Sequence, residues 1–187
     1  MTVEAVTLFL ALLAVVAQTT VGVGIVLAAG GRASARLAAA RTTAARSVAD
    51  QALALGFVVA AVATAGSLYY SEVANFPPCR LCWYQRIAMY PLVPLLGIEA
   101  WRRDAGIRVY AATLAGAGAV VSTYHVVLER FPDLESGVCD PTNPCTLIWV
   151  RRFGYLTIPT MALSAFAVIL TLLAVASPRD PHQGAPR

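Results

Sequence analysis

Five apolar runs, each near the length a helix needs to cross a hydrocarbon core, constrain this chain more than any other feature. They extend from Ala5 to Ala29, Leu53 to Tyr70, Trp83 to Ala100, Val109 to Leu128 and Tyr155 to Ala176. About 20 apolar residues as helix cover a bilayer interior. There the backbone groups must be satisfied within the segment itself, which favours helices. The predicted fold class is therefore all-α, an integral membrane helical bundle. Hydrophobic residues make up 58% of the chain and charged residues only 13%, outside the range of water-soluble domains. With little polar sequence between the runs, chemistry is expected at helix ends and in short loops.

The net charge of +4 comes from arginine, since the chain has no lysine. The arginines lie between the apolar runs rather than on one basic face, so membrane lipids are expected as neighbours and nucleic acid is not. Loops facing the cytoplasm carry the excess of Arg. Arg32, Arg36, Arg41, Arg46, Arg102, Arg103, Arg108, Arg179 and Arg187 are assigned to that side, and Arg80, Arg86, Arg130, Arg151 and Arg152 to the other. Five spans then put the N-terminus outside and the C-terminus in the cytoplasm. A cleaved signal is not expected, because only Glu4 precedes the first run and its arginines follow it. For Arg32 to Asp50 two readings stand, a helix lying on the inner surface and a solvated linker.

The chain has four cysteines, Cys79, Cys82, Cys139 and Cys145, and this orientation places all of them outside the cytoplasm. Pro77 and Pro78 suit the start of a helix and not its interior, so the third helix is expected to begin near Pro78 or Cys79. Cys79 and Cys82 then occupy its first turn, where free amides and the helix dipole stabilise a thiolate. Arg86 follows Cys82 one turn deeper on the same face. An arginine at that depth either snorkels to the headgroups or faces a ligand, such as a carbonyl oxygen of a lipid-soluble quinone. His125, near the outer end of the fourth run, is a second candidate for that pocket, against the plainer reading of a packed or interfacial residue. Trp83, Tyr84 and Tyr90 line such a pocket or anchor the interface.

Cys139 and Cys145 enclose Asp140-Pro141-Thr142-Asn143-Pro144, a turn-forming stretch in a loop expected to be mobile and exposed. A structural staple and a labile disulfide are both open readings, the ring being small for entropic stabilisation.

Gly66-Ser67-Leu68-Tyr69-Tyr70-Ser71-Glu72, then Pro78-Cys79-Arg80-Leu81-Cys82-Trp83-Tyr84-Gln85-Arg86-Ile87 and Met89-Tyr90-Pro91-Leu92, resemble the DsbB family of disulfide-bond formation proteins, and in particular its BdbC-type branch. The resemblance continues through Tyr124-His125, the later cysteines and Phe153-Gly154-Tyr155-Leu156-Thr157-Ile158-Pro159. It implies a four-helix core over residues 52–176, to which residues 1–51 add an extra N-terminal transmembrane helix and an Arg-rich cytoplasmic loop, and 177–187 a cytoplasmic tail. Members oxidise a DsbA-like thioredoxin-fold thiol oxidase outside the membrane and pass the electrons to ubiquinone or menaquinone. By that likeness Cys79 and Cys82 form the quinone-proximal disulfide, with Cys82 contacting the quinone and Cys79 exchanging with the loop. Cys139 and Cys145 form the second disulfide, Cys139 being attacked by the oxidase and Cys145 exchanging onward. Arg86 matches the family arginine at the quinone, and His125 a histidine near it.

Three other readings stand beside this one. Zinc on four cysteines fits poorly with an oxidising exterior, and no metal is expected. A vitamin K epoxide reductase-like enzyme shares the chemistry, but such relatives carry the membrane-proximal CxxC near the end of a span and not its start. A non-enzymatic membrane protein with two structural disulfides is the third; Glu99 at a helix end leaves little for ion coupling. Gly116 and Gly118 permit close helix contact.

Overall fold

The computed structural model describes residues 2–102 and 107–176. Arg103, Arg179, Arg187 and the tail 177–187 lie outside the described residues. Among the described residues seven α-helices follow one another: α1 (Val3–Gly30), α2 (Ala35–Ala49), α3 (Ala52–Leu68), α4 (Arg80–Met89), α5 (Leu92–Arg102), α6 (Ile107–Arg130) and α7 (Ile158–Val175). A π-helical turn, Tyr69–Val73, extends α3, and among the described residues the only β pairing is two isolated bridges. Among the described residues four helices are long and apolar enough to cross a membrane: α1, α3 with its extension, α6 and α7. The protein is thus a helical membrane bundle.

The third apolar run departs from expectation. It is not one helix but two, α4 and α5, broken at Tyr90 and Pro91. Neither Pro91 nor Pro94 has an N–H to donate, so the Tyr90 carbonyl is taken by Val93 in a tighter turn. Hydropathy does not register that break. Arg32 to Asp50 resolves to a helix, α2, with none of its residues buried.

Packing is organised around α7, which lies along α6, α3 and α1, while α3 also pairs with α5 and α4 with α6. Leu92 and Leu96 from α5, Ala111 and Ala115 from α6, and Phe166 and Ile169 from α7 form the central core. Small residues allow the closest approaches. A Cβ at Gly118 would overlap the Phe166 ring, so that glycine serves contact with α7 inside the bundle, whereas Gly116 faces open space. At one end Arg108 lies 3.8 Å from the buried Glu99 and donates to the Ala176 carbonyl at 2.6 Å, joining α5, α6 and α7.

The N-terminal helix α1 is seated by a polar seam. Tyr70 donates to Thr7 at 3.1 Å, Gln18 donates to Ser164 at 2.9 Å, and Tyr155 donates to Gln18 at 2.7 Å. Its far side exposes Phe9, Leu12, Val16, Val23 and Val26, as a lipid-facing surface does. The Thr7–Tyr70 bond sets the start of α1 at the end of the bundle that carries the cysteines.

Candidate thiol–disulfide site

Cys79 is the N-cap of α4, with extended backbone, and its sulfur accepts the Cys82 amide at 3.4 Å. The two prolines before it keep the chain extended, and the helix begins where N–H groups are again present. One turn of helix brings Cys79 Sγ to 2.9 Å from Cys82 Sγ, both as free thiols. Cys79 is buried and Cys82 partly so. The thiol hydrogen bond from Cys82, aided by His125 and opposed by burial, holds the Cys79 thiol well below the ordinary thiol range.

Cys139 and Cys145 are joined by a disulfide, with Cα atoms 5.8 Å apart. Contrary to the expectation of an exposed loop pair, they are only 5% and 1% exposed. The physical reason is packing: Cys139, Cys145, Cys79, Leu81 and Leu128 form one buried cluster, with Cys82 against it. Polar contacts dock the loop. Arg80, inside the CxxC segment, donates to the Val138 carbonyl at 2.9 Å, and Asn143 donates to the Pro78 carbonyl at 3.2 Å. Within the ring, the Thr142 amide and hydroxyl both donate to Asp140 Oδ1, at 2.9 and 2.7 Å, forming an Asx turn. The Thr142 amide leads in keeping the exposed Asp140 carboxyl below its usual range.

Arg86 does not snorkel. Its Nε donates to Ser67 Oγ and its Nη2 to the Ser67 carbonyl, both at 3.0 Å, and the guanidinium stands 5.1 Å from the centre of the Trp83 ring. Tyr90 reaches the same Ser67 hydroxyl at 3.4 Å, while Trp83 and Tyr84 are about half exposed. Arg86 is thus anchored to α3 one turn below the thiols.

His125 is 2% exposed and engaged at both ring nitrogens. Nδ1 is 2.9 Å from Gln85 Nε2; Nε2 is 2.9 Å from the Cys145 carbonyl and 3.8 Å from Cys79 Sγ. Cys79, Cys82, His125, Glu129, Trp149 and Pro159 line one cleft. Trp149 in that lining is backed by a ring stack through Phe76 to Tyr70, and Thr157 donates to Glu129 at 2.6 Å. Sequence reading assigned no role to Ser67, Arg80, Gln85 or Asn143. The only available signal was the position of Gln85 between Cys82 and Arg86.

The arrangement brings a dithiol and a disulfide into one apolar cluster, the setting in which thiolate attack on a disulfide transfers two electrons between pairs. The comparisons agree with it. Residues 49–176 match the model of the family described as disulfide bond formation protein DsbB. A probable disulfide formation protein of Oceanobacillus iheyensis is 44% identical over 126 residues, covering 66% of this chain and 87% of that one. Disulfide bond formation protein C of Bacillus subtilis is 42% identical over 121 residues, covering 64% and 87%. A probable disulfide formation protein of Chlamydia trachomatis is 36% identical over 125 residues, covering 67% and 91%. No solved structure matches the chain. With its family match spanning the cysteine cluster and every helix from α3 to α7, the chain belongs to the DsbB family of membrane disulfide bond formation proteins.

Proposed function

We propose that this protein reoxidises a thioredoxin-fold thiol oxidase outside the cytoplasm and passes the electrons to a membrane quinone, sustaining disulfide formation in exported proteins. The observation that carries the reading is the dithiol at the start of α4, 2.9 Å between sulfurs, packed against the Cys139–Cys145 disulfide. The arginine distribution supports an exterior position for both pairs, with the N-terminus outside and the C-terminus cytoplasmic.

In this mechanism the partner's thiolate attacks Cys139, and the mixed disulfide releases the Cys145 thiolate. Cys145 attacks Cys79 of an oxidised Cys79–Cys82 pair, releasing Cys82 as thiolate. The partner's second thiolate attacks the partner's own sulfur in the mixed disulfide, so the oxidised partner departs and Cys139 is freed as thiolate; Cys139 then bonds to Cys145, and Cys79 leaves as thiolate. This exchange leaves the loop pair oxidised and the helix pair reduced.

A quinone, when bound, supplies a sink for two electrons and two protons. The donor set fits one: Ser67 fixes the plane of Arg86, leaving further N–H groups of its fork for a carbonyl oxygen. Trp83 and Ile87, 52% and 62% exposed, present an apolar face beside it. His125 borders the cleft that Cys82 lines.

The test is quinone reduction in detergent with a reduced thioredoxin-fold oxidase and a soluble quinone analogue. Turnover that needs Cys82 and Cys139 is expected. No turnover with either quinone class, while all four cysteines stay oxidised, would point to two structural disulfides instead.

A further inference from the structure

Resting on that reading, we propose that Gln85 and His125 are a positioning pair for exchange between the two cysteine pairs: Gln85 selects the His125 tautomer that holds the Cys145 backbone over Cys79. The argument starts from the Cys145 carbonyl, which only accepts hydrogen bonds. At 2.9 Å from it, His125 Nε2 must be the protonated nitrogen. A neutral ring then has a bare Nδ1, which needs a donor, and the Gln85 side-chain amide supplies one at 2.9 Å. The same Nε2–H lies 3.8 Å from Cys79 Sγ, so one proton faces both partners of the exchange. Gln85 and Cys79 come from the α4 segment, His125 from α6 and Cys145 from the loop, so the ring is a strut across three parts of the fold. Arg80 on Val138 and Asn143 on Pro78 fasten other points of the loop to the same segment.

The step it serves conserves electrons within the chain. The Cys145 thiolate forms a bond to Cys79 as the Cys79–Cys82 bond breaks and Cys82 leaves as thiolate. The Cys139 thiolate then bonds to Cys145, and Cys79 leaves as thiolate. Two electrons move from the loop pair to the helix pair.

Apposition is measurable without quinone or partner. In a full-length Cys82→Ser/Cys139→Ser protein, Cys79 and Cys145 remain as the exchanging thiols, and equilibration with glutathione buffers gives their effective concentration from the oxidised fraction. Gln85→Leu in that background should lower it about tenfold. In a His125→Gln background, where a side-chain amide can donate without a tautomer, Gln85→Leu should lower it less than twofold. Gln85→Glu supplies the readout that a merely structural role would not move. A carboxylate draws the neutral ring's proton to Nδ1, leaving Nε2–H only in the imidazolium. The Glu-to-Gln ratio of effective concentrations should therefore fall as pH rises from 6 to 9. Besides Cys145, the titratable groups around the ring are Cys79 and Cys82 from α4 and Glu129 one turn along α6; Cys79, Cys145 and Glu129 are common to all arms. A change under twofold in Gln85→Leu, an equal loss in the His125→Gln background, a pH-independent ratio, or no Cys79–Cys145 disulfide in the parent would each overturn the proposal. Absent quinone turnover would overturn the functional reading alone and leave these results standing.

Discussion

The two cysteine pairs share one apolar cluster and stand on opposite kinds of scaffold. Cys79 and Cys82 sit on the first turn of α4, where a cap, a helix end and neighbouring amides are supplied within a few residues. Cys139 and Cys145 sit in irregular chain, yet they are as buried as Cys79. What places them is distant: the Arg80 side chain, the Pro78 carbonyl and the His125 ring. The difference teaches that local helix geometry suffices to tune a thiol, whereas a loop disulfide reaches it only through tertiary contacts that a sequence window does not contain.

Removing one sulfur from each pair should separate their roles most sharply. Cys82→Ser is expected to abolish quinone reduction whatever the reductant. Cys139→Ser should abolish it with a protein thiol donor but retain it with dithiothreitol, which can reduce the helix pair directly. Quinone absorbance followed with each donor reads both outcomes, and equal loss in the two variants with both donors would erase the distinction.

Opening the loop ring by Cys139→Ala/Cys145→Ala is expected to cost about 2 kcal/mol, because a ring this small constrains the unfolded chain only modestly. Denaturant titration in detergent measures it. Arg80→Ala should slow protein-driven turnover about tenfold, the worth of one charge-assisted hydrogen bond, and leave dithiothreitol-driven turnover within twofold. Equal slowing with both donors would mean that Arg80 serves the helix pair and not the docking of the loop.

The smallest effect concerns pH. Because Cys79 is held below the ordinary thiol range, thiolate absorbance at 240 nm in the reduced protein should persist well below pH ~8.5. The sign follows from linkage. A group depressed on folding contributes stability above its unfolded value, and that contribution is lost as pH falls through the depressed one. The reduced form should therefore lose stability on acidification through that range. A thiolate signal that disappears near pH 8.5 would remove the electrostatic half of the comparison.

Much of the bundle was legible from residues near one another in the chain. Apolar length marked four helices that the structure bears out as candidate spans, and Pro77-Pro78 before Cys79 marked the start of α4. The break between α4 and α5 was missed although Pro91 and Pro94 stand within the run, because hydropathy reports the solvent and not the hydrogen-bond ladder. Arg86 stood out in the sequence as a charge that needs a partner at membrane depth. Its partner, Ser67, lies on another helix, and nothing local pointed to it. The same holds for α1: its length was readable, but the contacts of Thr7 with Tyr70 and of Gln18 with Ser164 and Tyr155 join residues far apart in the chain.

The sequence by itself determined that this chain folds as membrane helices and carries a dithiol at a helix start, since hydrophobic length, proline and capping act over a turn or two. Only the tertiary structure decided that the loop disulfide is buried against that dithiol, that Arg86 is tied to Ser67, and that His125 stands between the pairs. Those outcomes depend on which side chains meet when helices pack, and packing is a property of the whole bundle.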